Sequence, residues 1–280
     1  MGKYARLRDR LLAAGTFGAD DFAVAEAATD EEILRVHDAN YLRRVVTGTL
    51  DASEIRAIGF PWSERMVERS RRSSGATLAA ARVALTRGWG ANLAGGTHHA
   101  FRDRGEGFCV FNDSAIAARA MQAEAGLTRI AIVDCDVHQG NGTAAIFSGD
   151  ASVFTFSIHG ARNFPFRKEA SDLDIELADG TGDDEYLWHL ERGLDETLER
   201  ARPQLAFYLA GADPFEDDRL GRLKLSKAGL RRRDEHVLGT LHGRGIPVAI
   251  AMAGGYARDI EDSVEIHANT LDVARALERP

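Results

Sequence analysis

The chain has 280 residues, 44% hydrophobic and 28% charged, the composition of a globular protein with a sizeable core. Its formal net charge of -8 offers no basic footprint for nucleic acid and no polybasic membrane patch, so neither partner is expected. Two cysteines, Cys109 and Cys135, cannot build a disulfide framework, no stretch approaches a transmembrane span and no apolar signal core opens the chain, which together predict a reduced, cytoplasmic protein.

Residues 3–14, 29–47 and 63–87 read as helices, and Thr29 with Glu32 three positions on has the spacing of a capping box. From about residue 90 the pattern changes to short apolar runs at 91–94, 130–135, 153–158, 205–210 and 247–253. Helical stretches near 114–125, 183–202, 226–243 and 262–278 separate them. That alternation predicts an α/β fold, a parallel β-sheet flanked by helices on both faces. No repeat or Pro/Ser-rich linker interrupts it, so a single domain over residues 1–280 is expected. The chain opens directly into a helix, where sheets of this type usually begin with a strand.

The run at 130–135 continues into Asp134-Cys135-Asp136-Val137-His138-Gln139-Gly140-Asn141-Gly142. Side chains alternate along a strand, so Asp134, Asp136 and His138 are expected on one face. Two carboxylates and an imidazole are expensive to bury unless something pairs with them, and a divalent metal is the natural partner. The other runs also end in polar or glycine-rich motifs: Gly95-Gly96-Thr97-His98-His99, Ser157-Ile158-His159-Gly160, Gly211-Ala212-Asp213-Pro214 and Gly254-Gly255-Tyr256. Parallel strands place their carboxyl ends on one edge, so these groups should converge. Asp136, His138 and Asp213 make a three-ligand set with an open fourth position, the arrangement of a catalytic metal site. The tandem His98-His99 points to acid–base work. A carboxylate partner would hold one imidazole as its cation and a neutral amide would not, and Asp134 and Asn141 are partners of those two kinds. Tyr256 could offer its hydroxyl to a developing oxyanion. Glu216, Asp217 and Asp218 read as a solvated loop and Arg231-Arg232-Arg233 as a solvated helix face. His37, His189, His236, His242 and His267 lack ligand spacing and are expected in surface or packing roles.

These motifs, with Gly107-Phe108-Cys109-Val110-Phe111-Asn112-Asp113, run in a fixed order from residue 95 to 256, and the set resembles the zinc-dependent histone deacetylase family and its bacterial acetylpolyamine and acetoin-utilisation relatives. His138-Gln139 looks most like the class IV branch. The resemblance implies the arginase/deacetylase fold, commonly of eight strands, whose members usually carry a first strand and a substrate-loop segment before the helix that opens this chain. It makes Asp136, His138 and Asp213 the ligands of zinc, with ferrous iron accepted by the same set. It pairs His98 with Asp134 and His99 with Asn141, and makes Tyr256 the transition-state hydroxyl. Gly107, Phe108, Phe164, Gly254 and Gly255 would bind the substrate's acyl-lysine stem. A structural potassium ion is implied near the backbone of Asp134, Asp136 and His138, with Ser157 and Ile158.

The expected function is therefore metal-dependent removal of acetyl or longer acyl groups from lysine side chains, or from acylated polyamines. The acidic net charge mildly suits a cationic substrate. A binuclear hydrolase of the same fold would need further bridging carboxylates two positions after His138 and Asp213, where Gly140 and Phe215 stand. A non-catalytic acyl-ligand binder would be expected to have lost a ligand, Tyr256 or the His pair, and none is lost.

Overall fold

The computed structural model describes residues 2–278. Six strands, β1 (Trp89–Asn92), β2 (Ile130–Asp134), β3 (Val153–Gly160), β4 (Leu173–Leu177), β5 (Leu205–Leu209) and β6 (Val248–Ala251), form one sheet in the order β1-β6-β5-β2-β3-β4. Every pairing is parallel. From β2 the chain winds outward through β3 to β4, and from β5 it winds the other way to β6. The order therefore reverses between neighbours β2 and β5, and a ligand crevice opens at the carboxyl ends of such a pair.

Successive residues of the central strands feed two cores. Val133, Ala206 and Tyr208 pack on one face with Leu7 and Leu11 of α1 (Lys3–Ala14), and with α8 (Asp183–Ala201), α9 (Lys227–Gly243) and α10 (Ile260–Leu277). Ile132, Leu205 and Phe207 pack on the other face against α5 (Glu64–Arg87) and α6 (Asp113–Ala125). Burial on both faces explains why these strands read as apolar runs rather than as alternating ones.

Several boundaries differ from the sequence reading. The helix expected over 29–47 is two, α2 (Asp30–Leu34) with the Thr29–Glu32 capping box and α3 (Ala39–Thr47). Asp38 breaks it by accepting from the amides of Asn40 (2.6 Å) and Tyr41 (3.3 Å), a cap that competes with helix continuation. The turn between the two helices buries His37, whose Nε2 accepts from the Asn112 amide at 3.0 Å. Two short helices had no strong apolar period, α4 (Ala52–Ile58) and α7 (Asn141–Phe147). Strand β4 alternates Leu173, Ile175 and Leu177 with Asp174 and Glu176, and stands at the sheet edge, where charges discourage further pairing. No helix among the described residues is long and apolar enough to cross a membrane.

Candidate metal and acid–base site

Strand β2 ends at Asp134, so strand alternation is not what gathers the three polar residues: Asp136 and His138 lie in the following loop. The loop folds back on its own carboxylates. Asp134 accepts from the Asp136 amide at 3.1 Å, and Asp136 accepts from the His138 amide at 2.9 Å. Asp213, beyond β5, accepts from the Val137 amide at 2.9 Å, which ties the two sides of the crevice together. One ligand atom each from Asp136, His138 and Asp213 lie within 4.8 Å of one another.

This donor set fits a divalent cation. Asp136 and Asp213 are fully buried with one imidazole between them, and the Asp213 Oδ2 has no hydrogen-bond partner. Burial, followed by the neighbouring Asp136 charge, pushes the Asp213 carboxyl up to about 6. The His138 Nδ1 stands beside that Oδ2 at 3.4 Å, and a cation would stabilise a buried carboxylate oxygen that lacks a hydrogen bond. Glycines make the room: a Cβ on Gly254 would stand 1.8 Å from that Oδ2 and 2.7 Å from Oδ2 of Asp136.

The His98–His99 segment enters from the end of β1. Gly95 and Gly96 adopt φ of 81° and 73°, and a Cβ on Gly96 would meet Ala253 at 2.4 Å. Asp113, at the start of α6, accepts from the amides of Gly96 (3.0 Å) and Thr97 (2.8 Å) and from the hydroxyls of Thr97 (2.7 Å) and Thr77 (2.6 Å). His98 donates from Nδ1 to Asp134 at 2.6 Å, and His99 from Nδ1 to Oδ1 of Asn141 at 2.7 Å. The Asn141 amide group is oriented by its Nδ2, which donates to Glu106 at 3.2 Å. Burial disfavours charge on both imidazoles. At His98 the adjacent Asp134 and Asp136 outweigh it and hold the ring up at about 9. At His99 burial and the neighbouring His98 and His138 leave the ring well below its ordinary range.

Tyr256 follows Gly255 (φ 138°), is 45% exposed and has its amide held by Asp218 at 2.6 Å. Its ring centre lies 6.1 Å from that of Phe108, which is 44% exposed. Phe164 stands edge-on to His99 at 4.9 Å, and a Cβ on Gly107 would touch both rings. All of these line one cavity of about 1420 Å³ together with Asp136, His138, Asp213, Gly254 and Gly255. On the sheet side, Asp134 pairs in register with Ser157, whose hydroxyl lies 2.9 Å from His159 Nδ1, next to Ile158.

Other supports lay outside the sequence reading. Asp218 is buried, not solvated: besides Tyr256 it accepts from the amides of Leu220 (2.8 Å) and Gly221 (3.0 Å). Arg233 is also buried, against the expectation of a solvated basic face. It donates to the Gly211 carbonyl at 2.5 Å and the Cys135 carbonyl at 3.4 Å, and pairs with Asp234 at 2.8 Å. Those two carbonyls belong to the loops that carry Asp213 and Asp136. The helical period of α9 distinguishes Arg233 from its neighbours, since it lies three and four residues from buried Leu230 and Val237. Lys3 reaches under the Tyr256 loop and donates to the carbonyls of residues 253, 254 and 255 at 3.4, 3.5 and 3.3 Å. Burial lowers it to about 8 against the pull of Asp213, Asp136 and Asp218. Nothing local in the sequence marks that role.

Residues 1–271 match the histone deacetylase domain family. The chain is 47% identical over 232 residues to an uncharacterized protein of a Picosynechococcus species, covering 83% of this chain and 77% of that protein. It is 33% identical over 251 residues to Histone deacetylase 2 of Arabidopsis thaliana, covering 85% of this chain and 65% of that protein, just under two thirds of its length. The fold matches that of an HDAC homolog from Aquifex aeolicus with a TM-score of 0.81 at 24% identity, over 97% of this chain and 77% of that one.

Proposed function

Because the chain belongs to the histone deacetylase family, we propose that it is a metal-dependent amidohydrolase that removes acetyl or longer acyl groups from lysine side chains or related amines. The observation that supports this best is the meeting, in one cavity, of the Asp136–His138–Asp213 cluster with two imidazoles, one hydrogen-bonded to a carboxylate and the other to a neutral amide. Asp136, His138 and Asp213 would hold zinc or ferrous iron, and the bound ion would polarise the acyl carbonyl and acidify a water.

The remaining roles follow from the residues. His99 spends its Nδ1 proton on the Asn141 carbonyl oxygen, which leaves Nε2 with a lone pair. That nitrogen takes the proton of the attacking water and returns it to the leaving amine. His98, kept charged by Asp134, stabilises the negative charge that develops on the acyl oxygen. Tyr256 donates its hydroxyl to the same oxygen from across the cavity. Phe108 and Phe164 enclose the apolar stem and exclude water from it.

The test uses purified protein loaded with zinc or with ferrous iron against fluorogenic acyl-lysines of increasing chain length and against acetylated polyamines. Turnover of at least one acyl-amine that disappears on chelation is expected. Tight binding of an acyl-lysine without turnover would instead make the chain a non-catalytic acyl-ligand binder.

A further inference from the structure

The chain as a whole is acidic, with 35 Lys and Arg against 43 Asp and Glu, yet the mouth of the cavity has the opposite sign. Seven exposed arginines line it: Arg56 on α4, Arg65 and Arg72 on α5, and Arg162, Arg219, Arg222 and Arg258 from loops beyond β3, β5 and β6. The carboxylates on its wall are Asp136 and Asp213, buried at the floor, and Glu106, which is engaged by Asn141. Some rim guanidinium groups have acidic neighbours. Arg222 and Arg162 share Asp179 at 3.3 and 4.0 Å, and Arg258 meets Asp217 at 3.0 Å. Arg56, Arg65 and Arg219 make no ion pair among the described residues. Glu64 and Glu68 share α5 with Arg65 but do not line the cavity, and Glu68 is taken up by Arg72.

Resting on the proposed deacylase reading, we propose that this arginine rim selects acyl-lysine substrates flanked by acidic residues and disfavours lysine-rich flanks and polyamines. A single exposed charge pair contributes little, but several like charges around one opening act together on an incoming chain. They also steer encounter, within a screening length of about 10 Å at moderate salt. The guanidinium groups stand at the solvent end while Asp136 and Asp213 stand at the floor. The anion recognised is therefore outside the acyl group, on the residues beside the modified lysine.

The experiment compares acetyl-lysine peptides with acidic, neutral and lysine-rich flanks, and acetylspermidine, on zinc-loaded protein. Both kcat/KM and binding of the fluorescein-labelled peptides are measured. The acidic flank should be preferred over the lysine flank by about tenfold at low salt, with the ratio falling toward one near 0.5 M salt. Arg56→Glu and Arg219→Glu, separately and together, should lower or invert that ratio, which cancels any effect common to both peptides. Equal or better use of the lysine-rich peptide, or a ratio unmoved by charge reversal, would overturn the rim assignment. A gain for succinyl-lysine on a neutral flank would move the anion site inside the cavity and overturn it too. If no peptide is hydrolysed but acidic flanks still bind more tightly, the deacylase reading fails and the rim stands.

Discussion

Nδ1 of His99 lies 2.7 Å from the amide oxygen of Asn141, where the adjacent His98 has the carboxylate of Asp134 at 2.6 Å. Burial disfavours charge on both rings; beside His98 the Asp134 and Asp136 carboxylates outweigh it, whereas beside His99 the neutral Asn141 leaves burial and the neighbouring His98 and His138 to prevail. In Asn141→Asp a negative charge favours protonated His99, so the base is neutral only at higher pH. The acid limb of the kcat/KM profile should move upward by at least one pH unit. An unshifted limb would remove His99 from the role of base.

Gly254→Ala tests the cluster apart from catalysis. The new Cβ would fall 1.8 Å from the Asp213 Oδ2, so carboxylate or loop must shift. Metal content after dialysis against zinc should fall severely while the fold persists by circular dichroism. Full metal occupancy in the variant would argue against Asp213 as a ligand.

Arg233→Met removes one partner of a buried ion pair. Asp234 keeps Tyr208 at 2.5 Å and Thr270 at 2.6 Å but loses its counter-charge, a loss of about 3–5 kcal/mol. Because the same guanidinium holds the Gly211 and Cys135 carbonyls, metal affinity should fall along with the denaturation midpoint. Lower stability with unchanged zinc affinity would leave Arg233 a purely structural role.

His37 couples stability to pH. Burial pushes its pKa down to about 4, from an ordinary value near 6.5. Between those values the unfolded chain binds the extra proton, so stability falls as the pH drops through this window. From pH 7 to pH 5 the loss from this group is about 2 kcal/mol. Urea unfolding at both pH values, in the protein and in His37→Gln, should show that part of the acid sensitivity vanish in the variant. Equal pH slopes in both proteins would refute it.

How far the sequence carried the fold depended on burial. Strands β2 and β5 are covered on both faces and read as plain apolar runs, whereas edge strand β4 mixes charges into its alternation and presents no such run. Helix α4 had a legible signature, Asp51 and Glu54 as a capping box and Gly59 in the left-handed conformation behind it, but only seven residues between them. In the site, motif spacing identified the residues that converge, while strand alternation misdescribed the route, since β2 ends before Asp136.

By itself the sequence determined which side chains crowd the carboxyl ends of the strands. Order and residue type along the chain suffice for that, because parallel strands must end on one edge. What only the tertiary structure decided lies between segments far apart in sequence. Lys3 lies under residues 253–255, Asp218 holds the Tyr256 amide, and Arg233 is buried beneath the two loops of the metal cluster. The sign of the cavity mouth belongs with these. A net charge of -8 is a sum over the chain, whereas the field at an opening depends on which few charges the fold turns toward it, and here those are arginines.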